Sequence, residues 1–191
     1  MRLLEDRIRI DGKVKDGDVL KVDGFLNHMI DVRFVAELGR EFYRLYGSCG
    51  VNKILTIESS GIGVACLTAQ FFDCPVVFAK KAKTTNIAPD TYTASVASYT
   101  HGNVNEILVS KEYLGPADKV LIIDDFLARG NALLGLMEIV KKSGAELVGA
   151  GIVIEKAYQD GGAIVRNMGV RVESLARIAS MSAENGIEFC D

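Results

Sequence analysis

The stretch VLIIDDFLARGN, Val120 to Asn131, sets Asp124 and Asp125 side by side at the end of an apolar run, with Gly130 five residues further on. Adjacent carboxylates repel, so a ligand is needed that uses both. A carboxylate only accepts hydrogen bonds, whereas the vicinal hydroxyls of a ribose can donate them. Beyond the pair, Ala128, Arg129, Gly130, Asn131 and Ala132 read as a short loop opening a helix. Gly130 can take backbone angles that other residues resist, and the free N–H groups of a helix start suit a terminal phosphate. A plain strand-to-helix turn would account for the loop alone. The carboxylates beside it would repel a phosphate and must address another part of the ligand. A phosphate with a ribose diol next to it satisfies the whole stretch.

A second anion site is suggested by Lys80, Lys81 and Lys83, which follow the apolar VVFA directly. Alone they would pass for a solvated charge run. Together with the amides of Ser59, Ser60 and Gly61 in ESSG, which begins at Glu58, they could receive a pyrophosphate. A fourth polar group, Glu155 and Lys156, ends the apolar LVGAGIVI. In open α/β sheets ligands gather beyond the carboxyl ends of the strands, and these four groups all fall at such ends.

The elements that would hold them follow from periodicity. Val35, Leu38, Phe42 and Leu45 recur at helical spacing between Asp31 and Tyr46, before Gly47. KILTI (Lys53–Ile57) reads as a strand, Ile62–Phe72 as a helix, and Val76–Ala79 as another strand, a parallel βαβ unit. Asn105–Ser110 and Val120–Ile123 are further strands. A helix after Gly130 uses Leu133, Leu136 or Met137, and Val140, with Gly144 as its stop. LVGAGIVIEK is a buried strand, and VRVESLARI alternates like an outer one. Residues 1–30, rich in Asp and Gly after position 10, read as a turn-rich flap. Residues 83–103, polar and threonine-rich, read as a hairpin arm or mobile loop. The expected fold is therefore α/β: a single domain over residues 1–191, with a mostly parallel central sheet flanked by helices and a small terminal hood.

Composition narrows the class. Of the 191 residues 49% are hydrophobic and 25% charged, and three are prolines, as in ordinary globular chains. A net charge of −3 supplies no general basic field, so no nucleic-acid partner is expected. No apolar run reaches spanning length and MRLLEDRIRI lacks signal-peptide character, so a cytoplasmic protein without a membrane partner is expected. Cys49, Cys66, Cys74 and Cys190 form no CxxC pair and read as reduced thiols, mostly buried.

The stretch VLIIDDFLARGNA resembles the signature of the type I phosphoribosyltransferases, which use 5-phosphoribosyl 1-diphosphate (PRPP). KVDGFLNH, TIESSGI, TASV, VLIIDDFLA, GIVIEK and RVESLARI, spread from Lys21 to Ile178, are together similar to the bacterial xanthine phosphoribosyltransferases. The resemblance implies transfer of the phosphoribosyl group from PRPP to N9 of xanthine, giving xanthosine 5′-monophosphate and pyrophosphate. It implies Mg2+ carried with PRPP, with no direct protein ligation, and a homodimer. Asp124 and Asp125 would hold the ribose hydroxyls at the catalytic centre, and Ala128–Ala132 would cradle the 5′-phosphate. Glu58–Gly61 and Lys80 or Lys81 would face pyrophosphate. Leu20, Asn27 and Lys156 would contact the purine, Lys156 through an exocyclic oxygen. The arm around Thr93–Thr100 would close over the reaction.

Three positions depart from the pattern. Arg129 stands where many relatives carry a small hydroxyl residue, and Asn131 where they carry Gly or Lys. Ala128 replaces an aspartate that hypoxanthine–guanine relatives place near purine N7, which suggests a purine acidic enough to arrive partly deprotonated, as xanthine is. Other readings are a phosphoribosyltransferase preferring guanine, hypoxanthine or another purine, and a non-catalytic PRPP sensor. A dinucleotide-binding enzyme is disfavoured, because in GIGVAC the residue Cys66 occupies the third glycine position.

Overall fold

The computed structural model describes residues 1–82, 90–97 and 104–190. Helix α1 (Arg2–Asp11) opens the chain. A two-stranded antiparallel hairpin follows, β1 (Lys13–Lys15) and β2 (Val19–Lys21). A π-helical turn, Asp23–Asn27, then leads into α2 (Val32–Tyr46). Asp31 caps α2 by accepting a hydrogen bond from Phe34 N–H at 3.2 Å, which satisfies one of the orphan donors of a helix start.

The remaining elements are β3 (Lys53–Ile57), α3 (Gly61–Phe72), β4 (Val76–Ala82), β5 (Thr91–Ala97), β6 (Val104–Ser110) and β7 (Lys119–Leu127). After these come α4 (Asn131–Ser143), β8 (Glu146–Lys156), α5 (Gly161–Asn167), β9 (Val172–Ser182) and β10 (Gly186–Phe189). Eight strands form one sheet in the order β10-β9-β8-β7-β3-β4-β6-β5. The five from β9 to β4 are mutually parallel. β10, β6 and β5 run antiparallel to their neighbours. The mostly parallel α/β architecture is thus as expected.

The apolar strands bury side chains on both faces, as parallel strands between helices must. In β7, Leu121 and Ile123 join the cluster with α1, α2 and α3. Val120 and Ile122 join the cluster with α4 and α5. Gly144 ends α4 at φ 75°, the left-handed value expected of that position.

Several expectations change. Residues Arg2–Asp11 are helical, with Leu4 and Ile8 buried on one stripe. The flap is therefore a helix, a hairpin and a buried turn carrying Phe25 and Leu26. VRVESLARI lies inside the sheet rather than at its edge, because β10 pairs outside it. Part of the supposed arm, Thr91–Ala97, is an edge strand paired along its length with β6; residues 83–89 and 98–103 of the arm fall outside the described residues, Lys83 among them. Cys66 is exposed and Cys49, Cys74 and Cys190 are half-buried, so none is the buried thiol that neighbouring apolar residues suggested. Among the described residues, no helix is long and apolar enough to cross a membrane.

Candidate active site

Strand β7 carries both carboxylates inward: Asp124 is 5% exposed and Asp125 7%. Asp125 N–H donates to Asp124 Oδ1 at 3.0 Å, which fixes the Asp124 carboxylate against the backbone of its neighbour. Burial, then the neighbouring charge of Asp125, push the Asp124 carboxyl well above its usual range, while the Lys81 charge pulls the other way. Two carboxylates in so dry a place favour a partner that brings hydroxyl donors or positive charge.

Gly61, at the start of α3, makes that placement possible. A Cβ there would lie 2.3 Å from Thr56 Oγ1 and 2.9 Å from Asp124 Oδ1. Any side chain would displace the carboxylate. Thr56 is fully buried, and its hydroxyl has no protein partner. It belongs to the site's polar floor, although within KILTI it reads only as one residue of a core strand.

Opposite the carboxylates, the β3–α3 connection carries Glu58, Ser59 and Ser60, with a cis peptide between Glu58 and Ser59. Glu58 Oε1 accepts a hydrogen bond from Lys81 N–H at 2.6 Å, which ties this connection to β4. The two lysines part company here. Successive strand residues point to opposite faces, and Lys81 is the one whose charge reaches Asp124. The Lys80 ammonium instead lies 6.0 Å from the Phe78 ring, lining a separate cavity of about 520 Å³ with Phe78, Thr91 and Tyr113.

At the end of β7 the loop 128–132 turns into α4. Gly130 sits at φ 84° as the residue before the helix, which is the conformation that favours glycine there. Arg129 is exposed and Gly130 buried. The register pairs Leu127 with Glu155 on the adjacent β8, so Lys156 emerges beside the start of this loop. Lys156 Nζ donates to the backbone carbonyl of Asp18 in the β1–β2 turn, and burial lowers its pKa despite the nearby Asp18 charge. Leu20, on the same hairpin, is buried. Asn27 ends the π-helical turn, its Oδ1 buried with no protein partner. Ile30 follows closely and packs against α3: a Cβ on Gly63 would stand 2.5 Å from Ile30 Cδ1. The N-terminal segment thus closes over the same rim.

Glu155 does not share this rim. Its carboxylate accepts two hydrogen bonds from Arg166, each 2.7 Å, and one from Ser174 Oγ at 2.6 Å. Burial opposes its charge, but Arg166, Ser174 and Arg177 outweigh it and hold its pKa below the usual range. Of the polar pair ending β8, only Lys156 is left for a ligand.

A family model for the phosphoribosyl transferase domain matches residues 26–162. The chain belongs to the phosphoribosyltransferase family. It is 55% identical over 186 residues to the xanthine phosphoribosyltransferase of Lachnoclostridium phytofermentans, covering 97% of this chain and 96% of that one. It is 49% identical over 189 residues to the xanthine phosphoribosyltransferase of Pediococcus pentosaceus, covering 99% of this chain and all of that one. Among solved structures, the adenine enzyme of Giardia lamblia complexed with 9-deazaadenine superposes with a TM-score of 0.77 at 22% identity, covering 91% of this chain and 97% of that one. The Trypanosoma brucei adenine enzyme gives 0.78 at 19%, covering 96% and 83%. At such identities these structures speak for the phosphoribosyltransferase fold alone.

Proposed function

We propose that the protein transfers the 5-phosphoribosyl group of PRPP to N9 of xanthine, releasing pyrophosphate and forming xanthosine 5′-monophosphate in purine salvage. The observation that carries the reading is the buried Asp124–Asp125 pair next to the Gly130 loop, in a chain that matches the Lachnoclostridium xanthine phosphoribosyltransferase almost end to end.

The residues divide the substrates between them. The N–H groups of 128–132 receive the 5′-phosphate, and the carboxylates accept from the ribose hydroxyls. The Glu58–Gly61 connection and Lys81 face pyrophosphate; Lys80 is the weaker candidate, since it lines another cavity. As the bond from C1′ to pyrophosphate lengthens, positive charge develops on the sugar, and Asp124 and Asp125 have the sign to favour it. Xanthine, its imidazole proton already lost to solvent because Ala128 offers no acceptor, then bonds through N9 to C1′ as the C1′–O bond to pyrophosphate breaks. Lys156, which only donates, suits the oxygen of a 6-oxopurine and not the amino group of adenine. It can exchange the Asp18 carbonyl for such an oxygen. The unpartnered Asn27 Oδ1 is an acceptor for a purine N–H.

Magnesium fits as an ion that travels with phosphate oxygens. Magnesium commonly keeps several waters and binds through one or two carboxylates plus substrate phosphates, which suits an ion carried in with PRPP. When bound it supplies charge neutralisation for the leaving pyrophosphate. A homodimer and a cytoplasmic setting belong to the same proposal, the homodimer on the strength of the resemblance.

Initial rates with PRPP and magnesium, offering xanthine, guanine, hypoxanthine and adenine separately, test the reading. Xanthine is expected to lead in kcat/KM. A lead by guanine or hypoxanthine would leave the phosphate chemistry and remove the base assignment. Tight PRPP binding without turnover of any purine would favour the sensor.

A further inference from the structure

Helix α5 touches the phosphate loop and a half-buried ion pair through two consecutive glycines. A Cβ on Gly161 would stand 2.4 Å from Ala128 O and 2.5 Å from both Arg129 C and Gly130 N. The Gly161 N–H donates to Ala128 O at 3.1 Å. A Cβ on Gly162 would stand 2.1 Å from Glu155 Oε1 and 2.6 Å from an Arg166 guanidinium nitrogen. One glycine therefore seats backbone directly beneath the loop, and the next seats it directly against the Glu155–Arg166 pair.

That pair is built to be rigid. Both oxygens of Glu155 are taken by the Arg166 fork, and Oε2 also accepts from Ser174, with Arg177 Nε at 3.4 Å. Arg166 reaches further to the carbonyl of Val172 at 3.3 Å. A bidentate guanidinium–carboxylate pair fixes orientation as well as distance. Val165, between these contacts, is buried in the cluster that holds Leu127 and Leu133, the apolar residues on either side of the loop. Helix α5 is thus locked to β8 and β9 on one side and supports the loop on the other.

We propose that Arg166, by gripping Glu155, is a positioning residue for the 5′-phosphate: it fixes α5 so that Gly161 keeps the 128–132 loop in its binding shape. The inference rests on the loop being the phosphate cradle. A site made of backbone N–H groups has affinity only while those groups converge, and ordering them at the moment of binding costs affinity. Loosening α5 should therefore weaken the hold on the 5′-phosphate and leave pyrophosphate, which is held from the β3–α3 side, unaffected.

The test compares Arg166→Gln, the milder Arg166→Lys and Gly161→Ala with the wild type. Thermal melts would accompany calorimetric titration with ribose 5-phosphate and with magnesium pyrophosphate, and steady-state kinetics. Ribose 5-phosphate carries the phosphate and the diol but no pyrophosphate. For Arg166→Gln its Kd, and the KM for PRPP, should rise about tenfold, while kcat and the pyrophosphate Kd stay within about twofold. Arg166→Lys, which keeps the charge and loses the fork, should lie between, and Gly161→Ala should reproduce the pattern. Unchanged ribose 5-phosphate affinity in a folded Arg166 variant overturns the inference, as does a common loss of all affinities that tracks the melting temperature. If Arg166→Gln does not fold, the lysine variant decides by the same comparison. A wild-type chain that ignores ribose 5-phosphate but binds pyrophosphate would instead sink the reading of the loop, and the inference with it.

Discussion

Asp124 shows how a site residue can work against the fold that carries it. Its burial and the charge of Asp125 raise its folded-state pKa above the ordinary 3.8. From that value upward the folded chain holds a proton that the unfolded chain has released, so this group lowers stability as pH rises. Asp124→Asn keeps the shape and removes the titration. It should melt higher than wild type at mildly alkaline pH, by on the order of 1 kcal/mol, and the gain should fade as the medium is acidified past the ordinary carboxylate range. Turnover should fall about a hundredfold or more. Melts and rates measured together check both halves; a variant that is less stable at every pH would show that the carboxylate is a structural anchor. The pair and Gly130 were legible because their chemistry is local: type, adjacency and spacing say what they can do. Thr56 was not, because its role depends on Gly61 and Asp124 arriving beside it. Nor was the Lys156–Asp18 bond, which joins residues 138 apart.

Among the elements, those with a full helical stripe or an unbroken apolar run, such as α2, β3, β4 and β7, were legible, and the thinly patterned α1 and β10 were not. α2 has its apolar stripe, its Asp31 cap and its glycine stop in sequence. α1 buries only Leu4 and Ile8 and surrounds them with charge, so its periodicity is too thin to read. Strand β6 was read from NEILVS, but β10 and the pairing of β5 with β6 complete the sheet through neighbours already in place, and short alternating runs do not announce their partners. Yet α1 matters to the base end of the site. The Arg7 guanidinium lies 5.1 Å from the Phe25 ring centroid and 5.2 Å from that of Phe34, and bonds Asp31 at 3.1 Å. It thereby staples α1 to the turn that ends in Asn27 and to the cap of α2. Arg7→Ala removes both the stacking and the covering stem, a loss of about 1–2 kcal/mol. The KM for xanthine should rise severalfold while that for PRPP holds. Equal rises in the two would mean that the staple serves the fold in general and not the base.

For the molecule as a whole, the helices on the two faces of the sheet enclose separate apolar clusters, and the charged groups cut into its rim set how stability responds to acid. Glu155 and Asp124 act in opposite senses. Glu155 has a folded-state pKa below its ordinary 4.5, so its contribution is complete above that value and is lost as pH falls through the folded one. Asp124 costs least in that same acid range. Glu155 joins β8 to α5 and β9 through Arg166, Ser174 and Arg177, and acidification should therefore loosen this side of the sheet before the β3–β7 centre. Glu155→Gln retains the shape but offers the Arg166 fork no charge. At neutral pH it should be less stable by about 1–2 kcal/mol, a figure moderated by the partial exposure of Arg166. Its stability should also fall less steeply than that of wild type below pH 4.5, so that the two curves converge. Urea melts across the acid range measure this directly. Parallel curves would mean that the carboxyl titrates alike in the folded and unfolded chains, and that the Arg166 fork does not hold its charge.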